Sequence, residues 1–489
     1  MALEDIRAER VAKLEKLRAA GMEAYPAETA RTHSAEAFLA AHDALMAAGA
    51  SVTLAGRVMS IREHGGAVFV DLFDGTAKAQ CLLKQDALGD AAFELFAAAV
   101  DMGDFVEITG TAFVTKRGMP SLEAAAWRML AKSLLPIPDE WFGLKDEDER
   151  YRKRYLDLIL DKEVAARARR RSAFWNVMRR FLLDRGYIEV ETPVLETTPG
   201  GAEAEPFTTH HNALDLDVYL RISAGELWQK RLMVAGLPKV FEIGRIFRNE
   251  GISAEHAQDY TQLEFYEAFS DYRKGMPMIQ ELYRAIADDV YGTRVFKIKD
   301  FEVDLGKEWA TYDFNELMQK AYGFDPREVA GYTSEQAREL LAQHDAGAKG
   351  EGEGIGRAVD HLWKKLRKTL TGPGFLINVP VYLEPLAKKS AKDPRVVERF
   401  QVLIAGSEVG KGLSELNDPI DQAARFDAQQ KLREAGDAEA QMADAEYVEA
   451  MEYGMPPAFG FGVSERLFAF LEGVSLREAQ LFPLMRPRA

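Results

Sequence analysis

A single cysteine, Cys81, stands among 489 residues, so no internal disulfide can form, which fits a reducing cytosol. Long apolar runs are missing too, and none approaches the roughly 18 residues that a membrane span needs. The chain is charged from Glu4 onward and carries no apolar stretch of the kind that opens a secretory signal. A soluble, cytoplasmic protein with no membrane partner is expected. Positive charge is in deficit: 62 Lys and Arg against 78 Asp and Glu give a net −16. Broad non-specific nucleic-acid binding draws its affinity from phosphate contacts, and this balance argues against it. Any RNA contact must be local and guided by shape. No repeat period is visible. What is there is a normal globular balance, 47% apolar and 29% charged, on a chain too long for one ordinary domain.

Period and composition divide the chain. Residues 3–21 place Ile6, Val11, Leu14 and Leu17 close to one helical face and stop at Gly21, which predicts an amphipathic helix. From Val52 to about Leu130 the pattern changes to short β-rich runs, VTLAGRVMSI, AVFVDLFD, AKAQCLL and DFVEITGTAFVT, separated by Gly-Gly, Asp-Gly and Arg-Gly turns. Strands of that length and spacing suggest a small barrel, with the oligonucleotide/oligosaccharide-binding (OB) fold a natural candidate. Pro136 and Pro138 mark a linker, after which KDEDERYRKRYLDL begins a larger α+β region. The expected organisation is a helical extension over 1–50, a barrel over 51–135, a linker over 136–150 and an α+β domain over 151–489. Within the last, about 331–371 reads as a helical insertion broken by GAKGEGEGIG, with no assignable chemistry.

Chemistry concentrates between Phe247 and Tyr266, FRNEGISAEHAQDYTQLEFY. Arg248 and His256 suit phosphates, Tyr260 offers an aromatic face to a base, and Glu250 and Glu264 are carboxylates for amines. An isolated Arg-Asn-Glu would be a surface ion pair, so the reading depends on its company. In the barrel, Arg62, Phe69 and Gln80 fall on or beside predicted strands. A stacking ring with Arg and Gln able to bond a base edge is what single-stranded RNA readout requires, although a lone Phe on a strand is more often core.

The Phe247–Tyr266 stretch resembles motif 2 of the class II aminoacyl-tRNA synthetases, and the other two motifs of that family flank it in order. GYIEVETPVL, Gly186 to Leu195, follows a helix with Phe174, Val177, Met178 and Phe181 and resembles motif 1, which implies a homodimer interface with Pro193 at the boundary. GFGVSERLFAFLEG resembles motif 3, with Gly460 and Gly462 ahead of Arg466. The fold implied is an antiparallel sheet flanked by helices, joined to an OB-fold barrel. By this resemblance Arg248 and Arg466 are catalytic, holding the α- and γ-phosphates of ATP. Glu250 meets the adenine amino group, His256 approaches the γ-phosphate and Tyr260 stacks on adenine. Glu408 in GSEVGKGLSELND matches the family's Mg²⁺ ligand, and its companion falls at Gln401, seven residues earlier. Arg62, Phe69 and Gln80 match residues that read an anticodon.

Within the family the chain is most similar to the lysine-specific members. Selecting lysine means neutralising an ammonium at the end of an aliphatic chain, which needs a carboxylate. Glu415 and Tyr266 match the side-chain ammonium contacts, Glu226 and Glu264 the carboxylates near the α-amino group, and Gly201 a backbone contact. The chain departs from the pattern in several places. Ala257-Gln258-Asp259-Tyr260 replaces Asn-Pro-Glu-Phe, Val463 stands where a Gly is usual, and Met119 replaces a Glu. Lys411 and Leu413 replace Asn and an aromatic, and RISAGELWQKRL, Arg221 to Leu232, is one residue longer than usual. A cation at position 411 facing a lysine tail would repel it, so Lys411 is expected to point away or to pair with an acid. The resemblance implies activation of L-lysine with ATP and transfer to tRNA(Lys). Two other readings stay open at this point: a tRNA-independent lysine ligase modifying a protein, and a non-catalytic RNA-binding paralogue.

Overall fold

The computed structural model describes residues 3–138, 145–202, 204–249, 251, 253, 256–344, 354–434 and 440–488. It forms two compact units, Met1–Lys145 and Asp146–Ala489. In the first, β1 (Ser51–His64), β2 (Ala67–Phe73), β3 (Lys78–Lys84), β4 (Phe105–Val114) and β5 (Pro120–Ala131) close a barrel in the order β1-β2-β3-β5-β4. Side chains alternate along a strand, and β2 obeys this strictly: Val68, Val70 and Leu72 enter the core while Phe69 and Asp71 face outward. The first helix, Leu3–Ala19, ends two residues before Gly21. Its Leu14 and Leu17, with Phe38 of the next helix, share one core with Val52, Val70 and Leu83. Arg10 adds hydrogen bonds to the carbonyls of Met102, Ser133 and Leu135. The helical extension is thereby built into the barrel unit.

In the second unit the strands run β6 (Ile188–Glu189), β7 (Leu195–Glu196), β8 (Thr208–His211), β9 (Leu216–Leu220), β10 (Lys239–Phe247), β11 (Asp259–Ala268), β12 (Val295–Ile298), β13 (Phe301–Asp304), β14 (Ala310–Asp313), β15 (Gly374–Ile377), β16 (Arg399–Ile404), β17 (Ser407–Ser414) and β18 (Ala458–Ser464). Eight of them make the central sheet, ordered β14-β15-β16-β17-β18-β11-β10-β6. The six inner strands are antiparallel, as the resemblance implies, while β14/β15 and β6/β10 add a parallel pair at each edge. One face is apolar. Phe265, Phe400, Phe459 and Phe461 of the sheet pack there with Phe174 and Met178 of the helix Lys162–Leu183 and with Ile279, Leu282 and Tyr283 of the helix Tyr272–Ile286. Because the side-chain period is two, the residues between those phenylalanines project to the opposite face, which is left open as a cleft.

Within the predicted insertion the helices Ser334–Gln343 and Ile355–Leu366 carry a smaller core of their own with Phe314, Met318 and Leu376. Residues 345–353 lie outside the described residues.

Candidate active site

Strand register assembles the cleft floor. Gln401 of β16 pairs with Lys411 of β17, Lys411 with Gly462 of β18, and Gly462 with Glu264 of β11. One pleat along, Leu413, Gly460 and Tyr266 form a second row. The two glycines are required on different grounds. A Cβ at Gly460 would collide with Glu415 and Tyr266, whereas at Gly462 it would only touch Glu264 and fill the floor. The cleft has a volume of about 270 Å³. Arg248, Tyr260, Gln401, Glu408 and Arg466 line it, as do Gly201, Glu226, Glu264, Tyr266 and Glu415. Residues up to 265 positions apart in sequence, from Gly201 to Arg466, meet here.

One expected member stands apart. His256 is exposed and is not among the cleft-lining residues, with Nδ1 2.7 Å from Ser253 Oγ. Glu250 lies outside the described residues.

The carboxylate end is tightly wired. Glu264 accepts from the Ala224 amide at 2.9 Å, from Gln262 Nε2 at 2.5 Å and from the Tyr266 hydroxyl at 3.1 Å. Burial, with the Glu226 charge adding to it, pushes Glu264 up to about 7. Glu415 is also raised, to about 8, by burial that exceeds the pull of Lys230. Lys230 was not anticipated from the sequence. Its Nζ hydrogen-bonds Glu226 Oε1 at 2.6 Å and lies 2.5 Å from Glu415 Oε2, in a charge pair off the line of a directed hydrogen bond. The available signal was the spacing Glu226-x-x-x-Lys230, which puts both on one side of a helix. Within RISAGELWQKRL, Gly225 adopts a left-handed conformation (φ 75°) at the start of the helix Glu226–Val234. A Cβ there would strike Thr192, so only glycine fits without displacement. Gly201 is similarly close to Glu226, at 2.6 Å from a Cβ it lacks.

Arg248 is oriented by a hydrogen bond from Nε to the Ile222 carbonyl at 3.2 Å, and its guanidinium lies 5.8 Å from the Tyr260 ring centre. Arg466 begins the short helix Arg466–Leu471 directly after β18. Glu408 Oε1 accepts from Trp363 Nε1 at 2.6 Å. The insertion, which carried no assignable chemistry in sequence, therefore orients a cleft carboxylate, and nothing in the local sequence signals it. Lys411 pairs with Glu384 Oε2 at 3.2 Å, the acid that its charge called for. Glu384 also binds Arg399, whose Nη2 donates to Gln401 Oε1 at 2.8 Å.

These donors fit one Mg²⁺ better than two. Glu408 brings a carboxylate that a Mg²⁺ shared with substrate phosphates can use. Gln401 brings a neutral oxygen already accepting from a guanidinium, beside two cations.

In the barrel unit Arg62, Phe69 and Gln80 sit on adjacent strands: Arg62 pairs in register with Phe69, and Asp71 with Gln80. Arg62 is exposed and forks onto Asp71 at 3.0 and 3.1 Å. Gln80 accepts from Ser121 Oγ at 3.0 Å. Phe69, half-buried on the outward face, meets the edge of His64, 6.4 Å between ring centres. It is not a core residue.

Comparison with known proteins agrees with this geometry. Residues 146–486 match the family described as tRNA synthetases class II (D, K and N), and residues 52–130 match the OB-fold nucleic acid binding domain. The chain belongs to the class II tRNA synthetases. Among its relatives, the lysine–tRNA ligase of Bacillus subtilis (strain 168) is 42% identical over 484 residues, covering 97% of this chain and 96% of that one. The lysine–tRNA ligase of Thermosipho africanus (strain TCF52B) is 39% identical, with 99% and 97% covered. That of Roseiflexus castenholzii (strain DSM 13941 / HLO8) is 41% identical, with 100% of both chains covered.

Proposed function

We propose that the protein is a lysine–tRNA ligase, which activates L-lysine with ATP and transfers it to tRNA(Lys). The observation that carries this reading is the lining of one cleft by three acids, Glu226, Glu264 and Glu415, two of them paired with Lys230, together with Arg248 and Arg466. The acids suit an amino acid with two ammonium groups, and the guanidiniums suit phosphates. In the first step the lysine carboxylate attacks the α-phosphorus of ATP, forming lysyl-adenylate and releasing pyrophosphate. Negative charge gathers on the phosphate oxygens, so the protein's task is positioning and preorganised positive charge. Arg248 supplies it through a planar fork that a Lys cannot imitate. Tyr260 holds adenine by its face. In the second step the 3′-hydroxyl of the tRNA's terminal ribose attacks the adenylate carbonyl and AMP leaves. No protein nucleophile is required. Glu408 would hold a Mg²⁺, which when bound neutralises phosphate charge.

The outward Phe69, with Arg62 and Gln80, suits an unstacked anticodon base. Together with the cleft residues in place, it favours this reading over a tRNA-independent ligase or a non-catalytic paralogue. Exposed Leu183, Ile188, Val194 and Leu195 in the motif 1 region support a homodimer through that surface. Among the described residues no helix is long and apolar enough to cross a membrane, and a cytoplasmic enzyme of translation is the setting proposed. Pyrophosphate exchange measured with each of the twenty amino acids, followed by charging of purified tRNA, tests the whole reading. Exchange driven by another amino acid, or none, would overturn it.

A further inference from the structure

The β11–β18 ladder ends at the pair Gln262 and Ser464, just short of Arg466. Were it continued, Thr261 and Glu465 would be the next antiparallel pair, exchanging two backbone hydrogen bonds. One of the two is made, from the Glu465 amide to the Thr261 carbonyl at 2.9 Å. At Glu465 the chain turns helical (φ −52°, ψ −16°), and its carbonyl is taken by the Ala469 amide at 3.0 Å. The Thr261 amide donates instead to Glu465 Oε2 at 3.1 Å, so a side chain closes the ladder where the backbone has left it.

A helix behind the sheet holds that carboxylate. Arg171, on the helix Lys162–Leu183, donates from Nε to Glu465 Oε1 at 2.6 Å and from Nη2 to Thr261 Oγ1 at 3.4 Å. Phe174 and Met178, one and two turns further on, seat the same helix in the apolar core. Glu465 is fully buried, so each of its oxygens needs a donor, and each has one. Arg245, the register partner of Thr261, is attracted by Glu465 and repelled by Arg171, and it pairs with Asp259.

Arg466 follows Glu465 by one peptide bond and opens the helix Arg466–Leu471. Clamping Glu465 to β11 and to Arg171 therefore fixes the backbone from which Arg466 enters the cleft. Reacting geometry tolerates little slack, since a displacement of about 1 Å can cost about 100-fold in rate.

We propose that Arg171 is a positioning residue for ATP: acting through Glu465, it fixes the backbone that carries Arg466 and touches no substrate itself. This rests on the reading of the cleft as a site of lysine activation by ATP.

The test uses the full-length protein. Lysine-dependent pyrophosphate exchange by the wild type comes first, and its absence would sink the functional reading itself. Arg171→Met removes both donors and keeps an unbranched stem. Its kcat/KM for ATP in exchange should fall at least about tenfold, while lysine affinity, measured by calorimetry without ATP, should change less than about threefold. Because Arg171 acts through Arg466, the same substitution made in an Arg466→Ala background should lower exchange by less than about threefold. Should Arg171→Met fail to fold, the pair Arg171→Met/Glu465→Gln removes the unanswered buried charge and carries the same expectations. Equal losses in the wild-type and Arg466→Ala backgrounds would overturn the proposal, because a purely structural role adds to the loss of Arg466. So would an unchanged kcat/KM for ATP, or an equal loss of lysine affinity.

Discussion

Lys230 Nζ stands 2.5 Å from Glu415 Oε2, and each side chain is only 1% exposed. Burial opposes the lysine's charge, but Glu226 and Glu415 outweigh it and hold its pKa above the ordinary value. A protein ammonium is thus the permanent partner of the carboxylate expected to meet a substrate ammonium. Lys230 pairs with two of the cleft's acids, Glu226 and Glu415, while burial raises Glu264 and Glu415, which favours their protonated forms.

Lysine binding should therefore release protons. With Glu264 near 7 and Glu415 near 8, an incoming ammonium finds a protonated acid more often as pH falls. Affinity for lysine should rise with pH through that window and level off above it. Calorimetry in buffers of different ionisation enthalpy, at about pH 6.5 and about pH 9, measures the linkage. An identical proton count of zero at both would contradict it.

Glu415→Gln removes the negative charge and nearly preserves shape. Breaking one side of a buried charge pair costs about 2–5 kcal/mol, so kcat/KM for lysine should fall more than roughly 30-fold with little change in the KM for ATP. Retained lysine discrimination would place the ammonium elsewhere, near Glu226 and Glu264.

The stability of the catalytic unit carries the same signature with a definite sign. Glu264 is raised by burial from 4.5 to about 7, so across that range the native state keeps a proton that the unfolded chain has released. Stability contributed at this site must then fall as pH rises through the window. Relative to the wild type, Glu264→Gln should gain thermal stability between about pH 5 and about pH 7 and stay level above it, as read by scanning calorimetry. A constant difference would mean that Glu264 titrates normally.

Arg248→Ala should lower lysine-dependent pyrophosphate exchange by about 100-fold or more, the usual consequence of losing one preorganised donor to a transition state. The side chain is only half-buried, where Nε donates to the Ile222 carbonyl, so the melting temperature should hardly move. Exchange within tenfold of the wild type would remove Arg248 from the phosphate.

Phe69→Ala separates the two units. Since Phe69 faces out of the barrel, the change should spare lysine activation and weaken tRNA charging by roughly 5- to 150-fold, the range for one stacked base. Equal losses in both assays would mean a damaged fold instead.

The sequence by itself determined the order of elements and the chemistry they bring. Local period separates the barrel strands from the helices, because alternation and helical spacing are properties of a few neighbouring residues. Arg248, Tyr260, Glu264 and Tyr266 were legible because one strand and its approach carry them all. Arg466 and Glu415 were legible from compact motifs. Which partners those side chains meet was decided only in three dimensions. Register sets Lys411 opposite both Gln401 and Gly462, and a one-residue slip of β17 would turn Lys411 to the other face. Glu384 reaches Lys411 from a loop 27 positions away, and Trp363 reaches Glu408 from an insertion that looked chemically silent. Lys230 was visible as one charge on a helix, yet its role follows from burial beside Glu415, 185 positions on. Residue type fixes what a group can do, whereas its pairing and ionisation depend on packing between distant segments, which no local pattern encodes.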